Sequence, residues 1–300
     1  MKKLFIKLGL LLLSLIILDI IAGAIFNLLH ENAIGGSTKK NFYILKECDS
    51  DIIILGSSRA SHHYVPDVIS GLTGYSCYNC GEEGNGIVLG YARYQMIVQR
   101  YNPKVIVYEI TPEYDFKYDE DNSKYLRYLK PYYGEEKVKE VVDLFSDRKT
   151  QFELLSNMYR NNSAIIANIA DNIINRGDNN GYEPLWGQSV QNETKVHKSS
   201  QIVKDEKKIM LLNNMVKDAQ KRGIMFMLVM SPSLGLIDSN TYKEAVCISN
   251  KYNIPFINYL SCEEITSNLS FFQDEGHMND EGARRFSEIF SEELKRRLLK

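Results

Sequence analysis

Four large aliphatic residues in a row, Ile52-Ile53-Ile54-Leu55, run straight into Gly56-Ser57-Ser58-Arg59. A short, wholly apolar run closed by small residues is what a strand covered on both faces requires, since it offers no polar side to water. Comparable runs recur as "KVIVYEI" (104–110), "IMFMLVM" (224–230) and "IPFINYL" (254–260), with "SCYNCG" (76–81) as a shorter one. Stretches with helical spacing lie between and after them: "ASHHYVPDVISGLTG" (60–74), "NGIVLGYARYQMIVQRYNP" (85–103), "DEKKIMLLNNMVKDAQKRG" (205–223), "NTYKEAVCISNKYN" (240–253) and "NDEGARRFSEIFSEELKRRLL" (279–299). Strands alternating with helices imply a central parallel sheet in a three-layer α/β/α sandwich, joined by right-handed crossovers. The pattern loosens at about 116–200, expected to be a helical insertion containing "EEKVKEVVDLF" (135–145) and "SAIIANIADNII" (163–174).

The N-terminus imposes a second constraint. Lys2, Lys3 and Lys7 precede 22 residues, Leu8 to Leu29, that carry a single charge, Asp19. As a helix this run is about 33 Å long, enough for a bilayer core. Basic residues before it and none just after place the N-terminus in the cytoplasm and the rest outside. Residues 1–30 therefore read as a membrane anchor, 31–50 as a polar linker and 51–300 as the α/β domain with its insertion. A cleaved signal peptide is the competing reading, with Ala22-Gly23-Ala24 as the cleavage site; the apolar run outlasts that point and favours the anchor. Asp19 suggests a partner helix or a polar contact, the alternative being that it lies shallow enough to reach the interface.

The formal net charge is −2 and, without the anchor, slightly more acidic, so nucleic acid is not an expected partner. Cys48, Cys77, Cys80, Cys247 and Cys262 are odd in number, and Cys77-Tyr-Asn-Cys80 has no second pair to complete a zinc site. Buried thiols or one local disulfide are expected, and no metal or cofactor.

A serine at the end of the first strand sits where α/β sheets bind ligands, at the carboxyl ends of the strands. As a nucleophile it needs a base and a group to orient that base. Five histidines are present. His30 falls at the membrane edge and His197 in a polar stretch, which leaves His62, His63 and His277. In "FFQDEGHMNDEGARRF" (271–286), Asp274 lies three residues before His277, on the loop leading into the last helix. That spacing lets the carboxylate fold back onto Nδ1, leaving Nε2 to take a serine proton.

Leu55-Gly56-Ser57-Ser58 and Asp274-Glu275-Gly276-His277 together resemble the first and last blocks of the SGNH (GDSL-like) hydrolases and acyltransferases, with Ser57 where that family usually has Asp. "HMNDEGARRF" (277–286) is similar to the family's continuation after its histidine. The resemblance covers roughly residues 50–115 and 205–300 and implies the flavodoxin-like SGNH fold. It implies Ser58 as nucleophile, His277 as base and Asp274 as orienting group. The backbone amides of Ser58 and Gly81 would form the oxyanion hole. The family's third-block Gly-x-Asn-Asp is missing; "VYEITPEYDF" (107–116) stands there, with a side chain between Thr111 and Tyr114 as the replacement donor.

Ser57, Arg59 and His62 form a candidate supporting shell. Arg59, His62 and His63 read more simply as satisfying loop carbonyls and the helix start. Trp186 and the tyrosines of "KYLRYLKPYYGEE" (124–136) either stack on a sugar or pack the insertion onto its domain. The expected function is a membrane-anchored, extracytoplasmic serine esterase or O-acyltransferase working through an acyl-enzyme. Its expected partners are an acyl ester, with carbohydrate as one acceptor class, and by the resemblance an integral-membrane acyl donor. The alternative is a non-catalytic glycan-binding or scaffold protein that has kept the fold.

Overall fold

The computed structural model of the chain describes residues 1–175, 177–188, 203–235 and 237–299. The expectation for His197 lies outside them. Five strands, β1 (Ile52–Leu55), β2 (Cys77–Asn79), β3 (Val105–Glu109), β4 (Met225–Met230) and β5 (Phe256–Asn258), form one sheet in the order β2-β1-β3-β4-β5. Every neighbouring pair is parallel, and Ile52 stands opposite Cys77 on one side and Val105 on the other. The order reverses at β1: the chain steps outward to β2 and then returns to lay β3 on the other flank. Such a switch point opens a crevice at the carboxyl ends of β1 and β3.

Alternate residues on the strands serve two cores. Ile52, Ile54, Val105, Val107, Met227 and Val229 share one cluster with Ile69 of the helix Pro66–Thr73 and with Phe286, Phe290 and Leu294 of the helix Asp280–Leu298. The opposite-facing Ile53, Ile106, Tyr108 and Leu228 are equally buried. On this side the helix Glu206–Lys221 packs against β4 and against Ile87–Val98. The α/β expectation holds, because β1 to β4 are covered on both faces; the edge strand β5 is only half-buried and ends in the exposed Asn258.

Two expectations need correction. Residues 60–74 are not one helix but two, Ser58–His63 and Pro66–Thr73. Proline excludes its predecessor from the helical region, and Val65 is extended at φ −98°, ψ 105°. The stretch 31–50 is not a linker throughout, because Gly36–Lys46 is helical. Its Ile44 and Leu45 are fully buried, and its Thr38 amide donates to Asp171 Oδ2 at 3.0 Å.

The chain divides into two compact units, Met1–Glu47 with Asp121–Asp178 and Cys48–Glu120 with Asn179–Lys300. The first contains the helix Lys2–Glu31, which is long and apolar enough to cross a membrane. The second contains the sheet. The five cysteines form no disulfide, and Cys48, Cys77 and Cys80 are buried.

Candidate active site

β1 ends in a turn that only glycine can make. Gly56 has φ +144°, and a Cβ there would lie 2.7 Å from the Glu109 carbonyl oxygen and 2.9 Å from Ala60 Cβ. The turn starts the helix Ser58–His63 directly at the strand end. Ser57 occupies the N-cap position, yet its side chain caps nothing; its Oγ lies 2.6 Å from Thr111 Oγ1, just beyond β3. Ser58 is the first helical residue, and its hydroxyl oxygen lies 2.8 Å from His277 Nε2.

His277 is presented by a tightly folded loop. Phe272 and Met278 bridge across its base, and the Gln273 amide donates to the His277 carbonyl at 2.9 Å. Asp274 Oδ1 accepts the amides of Gly276 (2.8 Å) and His277 (2.9 Å), which turns the carboxylate back onto the ring. The two oxygens lie 2.9 and 3.0 Å from His277 Nδ1, which donates to them. Burial alone would raise the Asp274 carboxyl. The His277 ring and the two amides outweigh it and hold the group below the usual carboxylate value. The side chains of His277 and Asp274 keep 28% and 46% of their exposure, so the site lies at the surface rather than in a deep cavity. Asn279 then starts the last helix, its Oδ1 accepting the Gly282 amide at 3.1 Å.

Beneath these residues runs a buried polar network that the sequence reading did not assemble. His63 Nε2 accepts the amide hydrogen of Met278, the residue after His277, at 3.0 Å. That acceptance puts the proton on Nδ1, which donates to Ser231 Oγ at 2.7 Å; Ser231 Oγ in turn donates to Glu109 Oε1 at 2.8 Å. Arg59 closes an ion pair with Glu109 (3.0 Å) and donates to the Ser231 carbonyl, and the Tyr64 hydroxyl donates to Glu109 Oε2. Burial pushes the Glu109 carboxyl up, while Arg59, Tyr64 and Ser231 pull it the other way. Burial, with Arg59 and the two neighbouring imidazoles, drives His63 well below its ordinary value, so the ring is neutral. Arg59 and His63 were legible as polar residues beside the turn, and Glu109 as a carboxylate closing an otherwise apolar strand; Ser231 carried no signal.

The structure distributes the expected site residues unevenly. Ser58, His277 and Asp274 are brought together. Gly81 is not available as an oxyanion donor: its amide donates to Asn79 Oδ1 at 2.9 Å. Glycine is needed there for a different reason, because a Cβ would lie 2.4 Å from the Ser61 nitrogen. Asn79 Nδ2 meanwhile donates to the carbonyls of Ala60 (2.7 Å) and Tyr64 (2.9 Å), clamping β2 to the helix that carries Ser58. The Ser58 amide, by contrast, has no partner among the described residues. Arg59 serves the buried network. His62 Nδ1 donates to the Glu183 carbonyl at 2.6 Å, satisfying a loop as the simpler reading expected, and its ring stands edge-on to His277 with centroids 5.8 Å apart.

That loop, 182–188, borders the site. The Asp280 amide donates to the Leu185 carbonyl at 2.9 Å, and Asn279 Nδ2 donates to the Gly187 carbonyl at 3.2 Å. Trp186 is held between these two tethers and is 73% exposed, so it is not packing filler.

No protein-family model and no curated protein sequence matches the chain. Among solved structures it is similar to a protein named as lipolytic and of the G-D-S-L family, from Desulfitobacterium hafniense DCB-2. The identity is 12%, the match covers 81% of this chain and 98% of that one, and the TM-score is 0.40. It is also similar to one named as an acylhydrolase, from Bacteroides fragilis NCTC 9343, at 13% identity, over 83% and 88% of the two chains, again with a TM-score of 0.40. At this similarity neither likeness speaks to substrate or to the roles of residues.

Proposed function

We propose that the chain is a membrane-anchored serine esterase or O-acyltransferase with its catalytic unit outside the cytoplasm. The observation that carries this reading is the unbroken hydrogen-bond line from Ser58 Oγ through the His277 ring to Asp274. His277 Nε2 removes the Ser58 proton as Oγ attacks an ester carbonyl; Asp274 holds the ring in the required tautomer and stabilises the imidazolium. The tetrahedral intermediate collapses to an acyl-Ser58 as the leaving alcohol takes the proton from His277. A second hydroxyl, from water or from an acceptor, then repeats the sequence in reverse.

The oxyanion falls to the Ser58 amide at the helix N-terminus and to a hydroxyl of the Ser57–Thr111 pair. In a pair of hydroxyls one hydrogen is shared between the oxygens and the other is left over. Thr111 takes the place of the missing third-block asparagine. The shallow setting of the triad and the exposed Trp186 beside it favour a bulky acceptor over water, and carbohydrate is the acceptor class that an exposed indole suits. Transfer to an envelope or surface glycan is therefore preferred to simple hydrolysis, and an integral-membrane acyl donor fits the anchor.

The test is hydrolysis of p-nitrophenyl acetate by the detergent-solubilised full chain. Turnover is expected in wild type and Ser57→Ala and absent in Ser58→Ala and His277→Ala. The absent third-block asparagine favours the other reading, a glycan-binding protein that has kept the fold. That reading requires no turnover in any of the four.

A further inference from the structure

Asp19 is the only charge in the apolar stretch from Leu8 to Leu29, and its carboxylate is engaged by the chain itself. Ser156 Oγ and the Met158 amide donate to Oδ1 at 2.5 and 3.1 Å; the Asn157 amide and Nδ2 donate to Oδ2 at 2.9 and 3.1 Å. One turn further on, Gly23 touches the same segment, where a Cβ would lie 2.8 Å from Asn157 Cγ. The segment also meets the end of the helix: Asn168 Nδ2 lies 3.1 Å from His30 Nε2, and Asn172 Nδ2 donates to the Leu29 carbonyl at 2.7 Å. Leu29 and Asp19 are ten residues apart, about 15 Å along the axis. The chain therefore descends roughly half a bilayer core below the helix end at residues 156–158 and is back at its level by residue 172.

Arg148, Lys149 and Gln151 are exposed at the start of this segment, but from Phe152 to Ile174 what it exposes among the described residues is apolar apart from Tyr159 and Asn162. Phe152, Leu155, Ile166 and Ile173 retain 74%, 77%, 85% and 73% of their accessible surface. They are spread over the helices Arg148–Glu153 and Ile165–Asp171 and the turns that follow each. Several of its polar side chains are turned to internal partners: Arg160 Nε donates to the Leu154 carbonyl at 2.6 Å, Asn161 Nδ2 to the Asn157 carbonyl at 2.9 Å, and Glu153 pairs with Lys130 at 2.8 Å. In water this would be an expensive surface. In hydrocarbon it comes nearer the rule that backbone and polar groups find partners inside the protein, with Asn161 Oδ1 and the exposed Asn162 as exceptions.

Resting on the reading of Lys2–Glu31 as a membrane-spanning helix, we infer that residues 152–174 form a re-entrant membrane element beside it, with the exposed Arg148, Lys149 and Gln151 at the polar surface ahead of it. The element is sunk into the half of the bilayer nearer residue 31, with lipid acyl chains covering its apolar side chains. Asp19 is its internal cap rather than a dock for another protein. At the same depth an open pocket of about 880 Å³, lined by Leu15, Ile16, Leu155 and Ile165 with Asp19 and Asn162 at its polar side, gives a lipid chain a place to lie. Lipid is favoured over a second protein because the polar demand of Asp19 is already met. The exposed apolar side chains also run on into those of the spanning helix itself, where Ile16, Ile20 and Leu28 are 49%, 61% and 59% exposed.

The single tryptophan permits a direct test. In a Trp186→Phe background, Ile16→Trp, Leu155→Trp and Ile166→Trp are made separately in the full chain. Each is reconstituted in phosphatidylcholine vesicles with and without bromine at mid-chain, with circular dichroism to confirm the fold. The expected result is that all three indoles lose most of their fluorescence to the brominated lipid, while Trp186 in wild type loses little. Quenching of Ile16→Trp without quenching of Leu155→Trp and Ile166→Trp overturns the re-entrant element, leaves the spanning helix intact and assigns the apolar face to a protein partner. Absence of quenching at Ile16→Trp overturns the spanning helix, and the re-entrant element with it.

Discussion

His63 Nε2 receives the backbone hydrogen of Met278 at 3.0 Å, so the residue following His277 is held by a second, fully buried histidine. This imidazole stands on Ser231, through it on Glu109, and meets the His277 ring edge-on with centroids 6.1 Å apart. It is a positioning residue: it fixes where the His277 backbone sits, and through it where Nε2 meets the Ser58 hydroxyl. His63→Ala is expected to lower kcat for p-nitrophenyl acetate by roughly ten- to a hundredfold with little change in KM, the cost of small misplacement. Ser231→Ala should do the same more weakly. A fall in both that merely tracks lost melting temperature would assign the network to stability alone.

Two buried groups give stability opposite slopes with pH. Burial pushes the Asp115 carboxyl up to about 7, against hydrogen bonds from Tyr108 and the Thr111 amide. An unfolded chain releases that proton near pH ~4, so the stability Asp115 contributes is full in acid and lost as pH rises through about 7. His63, held neutral by burial, behaves conversely. The unfolded chain takes up a proton below about 6.5 and the folded one does not, so stability is lost as pH falls from there. Between about pH 5 and 6.5 the two slopes oppose each other, and from there to about 7 only the Asp115 loss remains. Asp115→Asn should therefore leave a melting temperature that rises with pH up to about 6.5, and His63→Gln one that falls with pH up to about 7. A melting temperature in Asp115→Asn that does not rise over that range contradicts the assignment.

The Ser57–Thr111 hydroxyl pair separates support from chemistry. If Thr111 supplies the second hydrogen to the oxyanion, Thr111→Val costs about 10²–10³ in kcat. Ser57→Ala, which removes only its neighbour, should stay within about tenfold of wild type. Steady-state kinetics on the same ester decide it. Equal losses in the two variants would mean that the pair acts as a unit, and a silent Thr111→Val would remove Thr111 from the oxyanion hole.

How much was legible beforehand depends on whether a residue's partner is near it in sequence. Asp274 and His277 were readable because three residues of loop suffice to bring carboxylate to ring, and Ser58 because strand, glycine and helix start are contiguous. Glu109, Ser231 and His63 meet only because β1, β3 and β4 lie side by side with their ends level, which no local pattern records. Gly81 misled for a related reason. The need for a glycine there was real, but it comes from the approach of the Ser58–His63 helix, and its amide belongs to Asn79. Asp19 was legible as a residue needing a partner, and the partner, residues 156–158, lies over 130 positions away.

Trp186 is held by backbone contacts on either side of it, so its removal should leave the triad undisturbed. Trp186→Ala is expected to keep p-nitrophenyl acetate hydrolysis and to raise KM for a carbohydrate acceptor about three- to tenfold, the scale of a single stacking contact. Competition between a soluble oligosaccharide acceptor and water, followed by product ratio, reads this. Unchanged partition would exclude the indole from acceptor binding.

The central claim is that Ser58, activated by His277, is the nucleophile. Treating the full chain with a fluorophosphonate and mapping the adduct by peptide mass spectrometry tests it most directly. The expected result is one adduct on Ser58, lost in Ser58→Ala, strongly slowed in His277→Ala and retained in Ser57→Ala. An adduct on Ser57, or a folded chain that carries none, would contradict it.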